Sequence, residues 1–162
     1  MPSTNPFNSA LETGVRTLTV LVASFPRSHD LRRLVQYDYL TVHSADADGP
    51  PSLHPPLPMR SGELLVRRGL IQSGLSLMMS RSLVAQDFTE EGFLYSAEEA
   101  AESFLSNLRS PYISELRLRA DWVAETFDAL SVEELEARMK RLFEAWTAEF
   151  QPIQLGPQAE LL

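Results

Sequence analysis

The residues best equipped for chemistry crowd into one stretch, YDYLTVHSADADGPPSLHPPLPMRSGE, residues 37–63. It holds His43 and His54, two of the three histidines, together with Asp46, Asp48 and five of the eleven prolines. Imidazole nitrogen and carboxylate oxygen are ligands that suit zinc or iron. A metal shell, however, needs its ligands held rigidly, at i and i+4 on a helix or on paired strands. Here they fall in an Ala/Gly/Pro loop, and only His29 remains to complete a shell, because the chain has no cysteine. The spacing favours side-chain turns at Asp46 and Asp48, with the prolines stiffening an extended crossing. On this reading the loop's task is geometric, and no metal or cofactor is expected.

Other catalytic arrangements are poorly supported. Serine, histidine and aspartate are all present, but no Gly-x-Ser-x-Gly elbow exists, and "SGLS" at 73–76 falls within a helical run. There is neither a Gly-rich phosphate loop nor a dinucleotide fingerprint, and no thiol nucleophile. No catalytic residue is assigned, and the chain is not read as an enzyme.

The elements that must position this loop are mostly helices. Asn8 or Ser9 can cap a first helix over about 9–24, with Leu11, Val15, Leu18 and Val22 on one face; Phe25-Pro26 ends it. Ser28 can cap a second, about 29–42, whose apolar side is Leu31, Leu34, Val35 and Leu40. After the proline-rich loop, Ser61 opens a long third helix, about 62–80. The period then changes. Residues 82–97, SLVAQDFTEEGFLYSA, read as strands 83–88 and 92–96 around a Glu-Glu-Gly turn. Ser96 with Glu99 reads as a capping box for the next helix, and Ser110-Pro111 as the start of another over about 111–129. Its face is Ile113, Leu116, Ala120, Val123, Phe127 and Leu130. Ser131 with Glu134 makes a second capping box before a last helix lined by Leu135, Met139, Leu142, Phe143, Trp146 and Phe150. These two helices read as an antiparallel pair.

The expected fold class is therefore mainly α with a small β-hairpin. Helix, helix, long helix and hairpin is the order of a winged helix–turn–helix, with 83–96 as the wing. The expected division is a winged-helix unit with its N-terminal arm at 1–97, a helical extension at 98–150 and a tail at 151–162.

The third helix carries the best candidates for contact. Arg60, Arg67, Gly74 and Arg81 recur every seven residues, a stripe that drifts only ~20° per heptad. Beside it lie the small residues of Gly62, Val66, Gly69, Ser73, Ser76 and Ser80, while Leu64, Ile71, Leu75 and Met78 take the core side. Arginines beside a small-residue face can grip phosphates or carboxylates bidentately. Arg60, Arg67, Arg68 and Arg81 are the candidate partner or DNA contacts.

Charge is divided unevenly. Residues 1–82 carry eight arginines against six acids, whereas 83–162 carry six bases against sixteen acids, giving +2 and −10 and the net −8. Nucleic acid is not expected to wrap the whole molecule, since phosphate neutralisation supplies most such affinity. No run approaches the ~20 apolar residues of a membrane span, and the N-terminus lacks the pattern of a signal peptide. A cytoplasmic protein without membrane contact is expected.

Taken together, these segments resemble a known family. "LVQYDYLTVHSAD" (34–46), "GPPSLHPPLPMRSGELLVRR" (49–68), the Gly-Leu pairs of the third helix and "SPYISELRLRADWV" (110–123) are similar to the middle component of ABC-three-component systems, the group called middle component 2. The similarity spans about residues 6–150. It implies a small, winged-helix-like, non-catalytic subunit, encoded beside an SMC/RecN-like ABC ATPase and an effector, often a nuclease. Such assemblies, Lamassu among them, act in bacterial defence, and the middle subunit bridges or regulates ATPase and effector. DNA would then be met through the complex. The rival reading from the residues alone is a winged-helix transcription regulator that binds its operator as a homodimer.

Overall fold

The computed structural model describes residues 9–56 and 60–144, with the side chains of residues 60–63 excluded. The described fold is mainly helical with one small antiparallel hairpin. Its order is α1 (Ala10–Ser24), α2 (Leu31–Val42), a short 3-10 turn (Ser44–Ala47), α3 (Arg60–Ser80), β1 (Val84–Thr89), β2 (Gly92–Ala97), α4 (Ala100–Ser106) and α5 (Pro111–Phe127). A further helix, α6, runs over 132–144. The chain divides into two compact units, Met1–Ala129 and Leu130–Leu162.

In the first unit α1 is the central element, packing on α2, α3, α4, α5 and β2. A single apolar face was expected for it; the structure instead buries Thr13, Gly14, Arg16, Thr17, Leu18, Thr19, Val20 and Leu21. Leu11, on the expected face, is largely exposed. The threonines tolerate this because the Thr17 and Thr19 hydroxyls donate back to the carbonyls of Thr13 (2.8 Å) and Val15 (2.7 Å). A hydroxyl satisfied by its own helix can enter the core without an orphaned polar atom.

The backbones of α1 and α3 approach closely at two glycines. A Cβ added at Gly74 would sit 2.7 Å from the Gly14 nitrogen and 2.8 Å from its Cα. The small residue that matters on α3 is therefore Gly74, whereas Gly69, Ser73, Ser76 and Ser80 face solvent. The expected core residues Ile71, Leu75 and Met78 are buried. At the C-terminus of α3, Leu83 N–H donates to Met78 O (3.0 Å) and Ser82 N–H to Met79 O (3.0 Å), with Ser82 left-handed at φ 59°. This double closure turns the chain straight into β1.

The hairpin pairs Val84 with Ala97, Gln86 with Tyr95 and Phe88 with Phe93. Gly92, at φ 105°, supplies a turn conformation that side-chain-bearing residues rarely adopt. Before α2, His29 makes a two-bond antiparallel bridge to Tyr95: His29 N–H donates to Tyr95 O (2.9 Å) and Tyr95 N–H to His29 O (2.8 Å).

Two expected caps are replaced. The α2 cap is Asp30, whose carboxylate accepts from Arg33 N–H at 2.8 Å, not Ser28. Ser96 is a strand residue paired with Ala85, and Glu99 begins α4 without a side-chain cap, so no capping box forms there. Strand pairing claimed Ser96 first. Ser110 does hold the N-cap place of α5, with Pro111 in the first turn, although its side chain makes no cap bond. The buried face of α5 is Leu116, Arg119, Ala120, Val123 and Phe127. In the second unit the Ser131–Glu134 box forms in both directions, each bond 3.1 Å. Leu135 and Met139 are buried; Trp146 and Phe150 lie outside the described residues.

The glycines of α3 predict opposite signs for one substitution. Gly74→Ala forces α1 and α3 apart and is expected to cost about 1–3 kcal/mol in urea unfolding. Gly69→Ala meets nothing within 4 Å and is expected to stabilise by about 0.5–1 kcal/mol through helix propensity.

Candidate functional site

The interior of the first unit contains a charged centre. Asp38 of α2, 1% exposed, accepts from Arg16 of α1 at Nε (3.0 Å) and Nη2 (3.4 Å), and from Nη1 of Arg67 of α3. Burial pushes its carboxyl up, but the two guanidiniums outweigh that and hold it below the usual carboxylate value. The Arg67 guanidinium also lies over the Tyr39 ring, 5.6 Å from its centroid.

The histidine–proline loop is built around this centre. His43 is buried, 4.8 Å ring to ring from Tyr39 and edge-on to His54 at 6.2 Å. Asp46 accepts the Tyr39 hydroxyl at 2.5 Å. Asp48 sits in the left-handed region at φ 60°, closing the 3-10 turn with its own N–H, a conformation aspartate tolerates better than most residues. His54 Nε2 meets the Tyr112 hydroxyl of α5 at 2.8 Å, the two rings stacked within 14° of parallel. Burial, with the Arg16 and Arg67 cations beyond it, lowers the His54 pKa to about 4. It is therefore neutral at physiological pH.

The rest of the loop is bound back at several points. Leu53 and His54 N–H groups both donate to Val42 O, at 3.0 and 3.1 Å, and Ser44 Oγ donates to Pro50 O at 2.8 Å. Arg119 of α5 donates through Nε and Nη2 to Pro51 O, at 3.0 and 2.8 Å, and is itself paired with Glu115. Trp122 lies so close over Gly49 that a Cβ there would fall 2.4 Å from its ring. Residues 43–54 are thus held by the fold. Among the described residues no group of three or more His, Cys, Asp or Glu side chains is placed to hold a metal ion.

A second polar cluster secures the end of α5. Asp128 accepts from Tyr37 (2.8 Å) and Ser24 (3.2 Å), with His29 Nε2 at 3.4 Å. Arg33 and Arg27 donate to the carbonyls of Phe127 (2.7 Å) and Asp128 (3.0 Å). Cationic donors suit these terminal carbonyls, where the helix dipole is negative. Between α1 and the start of α5 lies an open cleft of about 310 Å³, lined by Leu11, Val15, Leu108, Ile113 and Leu116, with Arg16 and Tyr112 also reaching it.

The four candidate arginines separate. The side chain of Arg60 lies outside the described residues. Arg68 and Arg81 are exposed. Arg67 is not on a surface: it is 7% exposed and bonded to Asp38. The heptad stripe that contains it faces inward, because Gly74, one heptad on, closes on Gly14. Arg81 lies beyond the last helical residue, Ser80, and does not continue the stripe. Of the residues that organise this region, Arg16, Asp38 and Arg119 were not singled out from sequence. Their signal was a charged residue on an apolar helix face, as at Arg119 between Leu116 and Val123.

Two outcomes follow from the buried charges. Asp38→Asn leaves two buried guanidiniums without their anion and is expected to cost about 3–5 kcal/mol at neutral pH, read by denaturant unfolding. For His54, the folded pKa of about 4 lies below the ordinary 6.5, so the unfolded chain takes up the proton first. Its contribution is present above about pH 6.5 and is lost as pH falls through 4. His54→Gln is expected to flatten the stability profile across that window.

Comparison with known proteins places this architecture. The family model of ABC-three component (ABC-3C) system Middle Component 2 matches residues 6–149. Neither the curated proteins nor the solved structures give a match. The matched span contains the charged centre, the bound loop, the hairpin and α5, so the chain belongs to the Middle Component 2 family of ABC-three component systems.

Proposed function

We propose that this chain is a non-catalytic accessory subunit of a bacterial defence complex of the Lamassu kind, working in the cytoplasm. It bridges or regulates an SMC/RecN-like ABC ATPase and an effector, a nuclease in the fullest form of this reading. The observation that carries the proposal is the family match over residues 6–149, which makes the chain a middle component of a multi-component system. The geometry supports it. Tyr39 occupies Asp46, Tyr112 meets His54, and Arg16 with Arg67 engages Asp38, so the side chains best suited to chemistry serve the fold. Among the described residues no helix is long and apolar enough to cross a membrane.

The first 97 residues are read as a winged helix–turn–helix. The His29–Tyr95 bridge supports this reading, because it sets the segment between α1 and α2 against the hairpin. On this reading Arg68 of α3, beside Leu65 and Val66, which are 81% and 60% exposed, and Arg81 just past the helix meet a partner. Arg60, whose side chain lies outside the described residues, is a further proposed contact. A DNA-gripping wing is less well supported, since the hairpin carries Asp87, Glu90 and Glu91 and no base.

Coexpression with the ATPase and effector genes of the same system tests the proposal. The tagged chain is expected to retain at least one of the two through size-exclusion chromatography; retention of neither refutes it. A homodimeric transcription regulator would instead bind duplex DNA alone, with log affinity falling by roughly 0.9 per neutralised phosphate against log salt.

A further inference from the structure

The outer end of the β1–β2 hairpin carries an aromatic pair among acids. Phe88 and Phe93 are direct cross-strand partners, their rings 5.1 Å apart and inclined at 59°. They are 74% and 50% exposed. Residues two apart along a strand share a face, so these rings continue the face whose inner residues, Val84, Tyr95 and Ala97, are buried. The core-facing side of the hairpin thus runs on past the core and ends in water.

The platform is ordered. Thr89 Oγ1 donates to Gly92 O at 3.0 Å and accepts from Glu91 N–H at 3.2 Å, closing the turn from within. Mutual contact between the rings steadies the hairpin, but it leaves most of the Phe88 surface in water. Glu90 and Glu91, in the turn that joins the two strands, are exposed, as is Asp87 on the opposite face of β1. The hairpin segment, residues 82–97, contains three acids and no lysine, arginine or histidine. Such a surface repels nucleic-acid phosphates and anionic headgroups. It complements an apolar cleft rimmed by arginine or lysine, where aromatic rings and carboxylates both find favourable partners.

We propose that the Phe88–Phe93 tip, with the turn acids Glu90 and Glu91, is a docking plug for a basic-rimmed apolar cleft on another protein component of the same three-component system. This rests on the accessory-subunit reading above. The test coexpresses the full chain with the ATPase and effector of its system. It compares the wild type with Phe88→Ala/Phe93→Ala, Glu90→Lys/Glu91→Lys and the control Leu118→Ala, an exposed apolar residue of α5. Both double variants are expected to bind one component at least about tenfold more weakly, the scale of a lost interface anchor. The control is expected to bind as the wild type does, and thermal midpoints to stay close together. A wild type that retains a component, with both double variants retaining it equally, overturns this inference and leaves the accessory role standing. A wild type that retains neither component removes both. Double variants that only convert a homodimer to a monomer assign the tip to a second copy of this chain and overturn the proposal.

Discussion

A single buried carboxylate sets the terms for the first unit. Asp38 is among the least exposed residues, and an ionised carboxylate removed from water is tolerated only with cationic partners at hydrogen-bonding distance. Those partners come from two other helices, Arg16 of α1 and Arg67 of α3, so one anion fixes the mutual placement of three elements. The glycine contact belongs to the same constraint. Only with Gly14 against Gly74 can the backbones of α1 and α3 come close enough for both guanidiniums to converge on α2.

The same device recurs at α5, with the polarity of the partners changed. Arg119 grips the Pro51 carbonyl, while Arg27 and Arg33 reach carbonyls at the helix end. Arginine's rigid fork suits bidentate contacts with backbone as well as carboxylate. The interior therefore spends its charged and aromatic-polar groups on holding irregular backbone. Leu65 and Val66 on α3, and Phe88 and Phe93 at the hairpin, are left exposed, alongside the basic Arg68 and Arg81.

Much of the helical order was legible in the chain. Capping at Ser131–Glu134, the Pro111 start, the Glu-Glu-Gly turn and the core side of α3 all rest on local chemistry, and local chemistry survives folding. The failures were tertiary. Ser96 has the spacing of a cap but lies in a strand, and Asp30 outcompeted Ser28 by two residues. Nothing in the α1 pattern announces a helix buried nearly all round, since its threonines look polar until their hydroxyls are seen to turn back on the helix. The heptad spacing of the arginines was real, but spacing alone does not say which way a stripe faces. His43, Asp46, Asp48 and His54 were rightly noticed as unusual. Their partners, Tyr39 and Tyr112, came from neighbouring and distant helices that no local pattern links to the loop.

The grip of Arg119 on Pro51 joins positions 68 residues apart in sequence. Contacts of such separation form late, because the loop they close must first be ordered. In a chain that emerges from its N-terminus, α1, α2 and the proline-rich segment are made well before α5 exists. The 43–56 segment can close its own local bonds on α2, but its Pro51 carbonyl gains the Arg119 fork only when α5 is in place. The last bond that this loop makes is thus supplied by the last helix of the first unit.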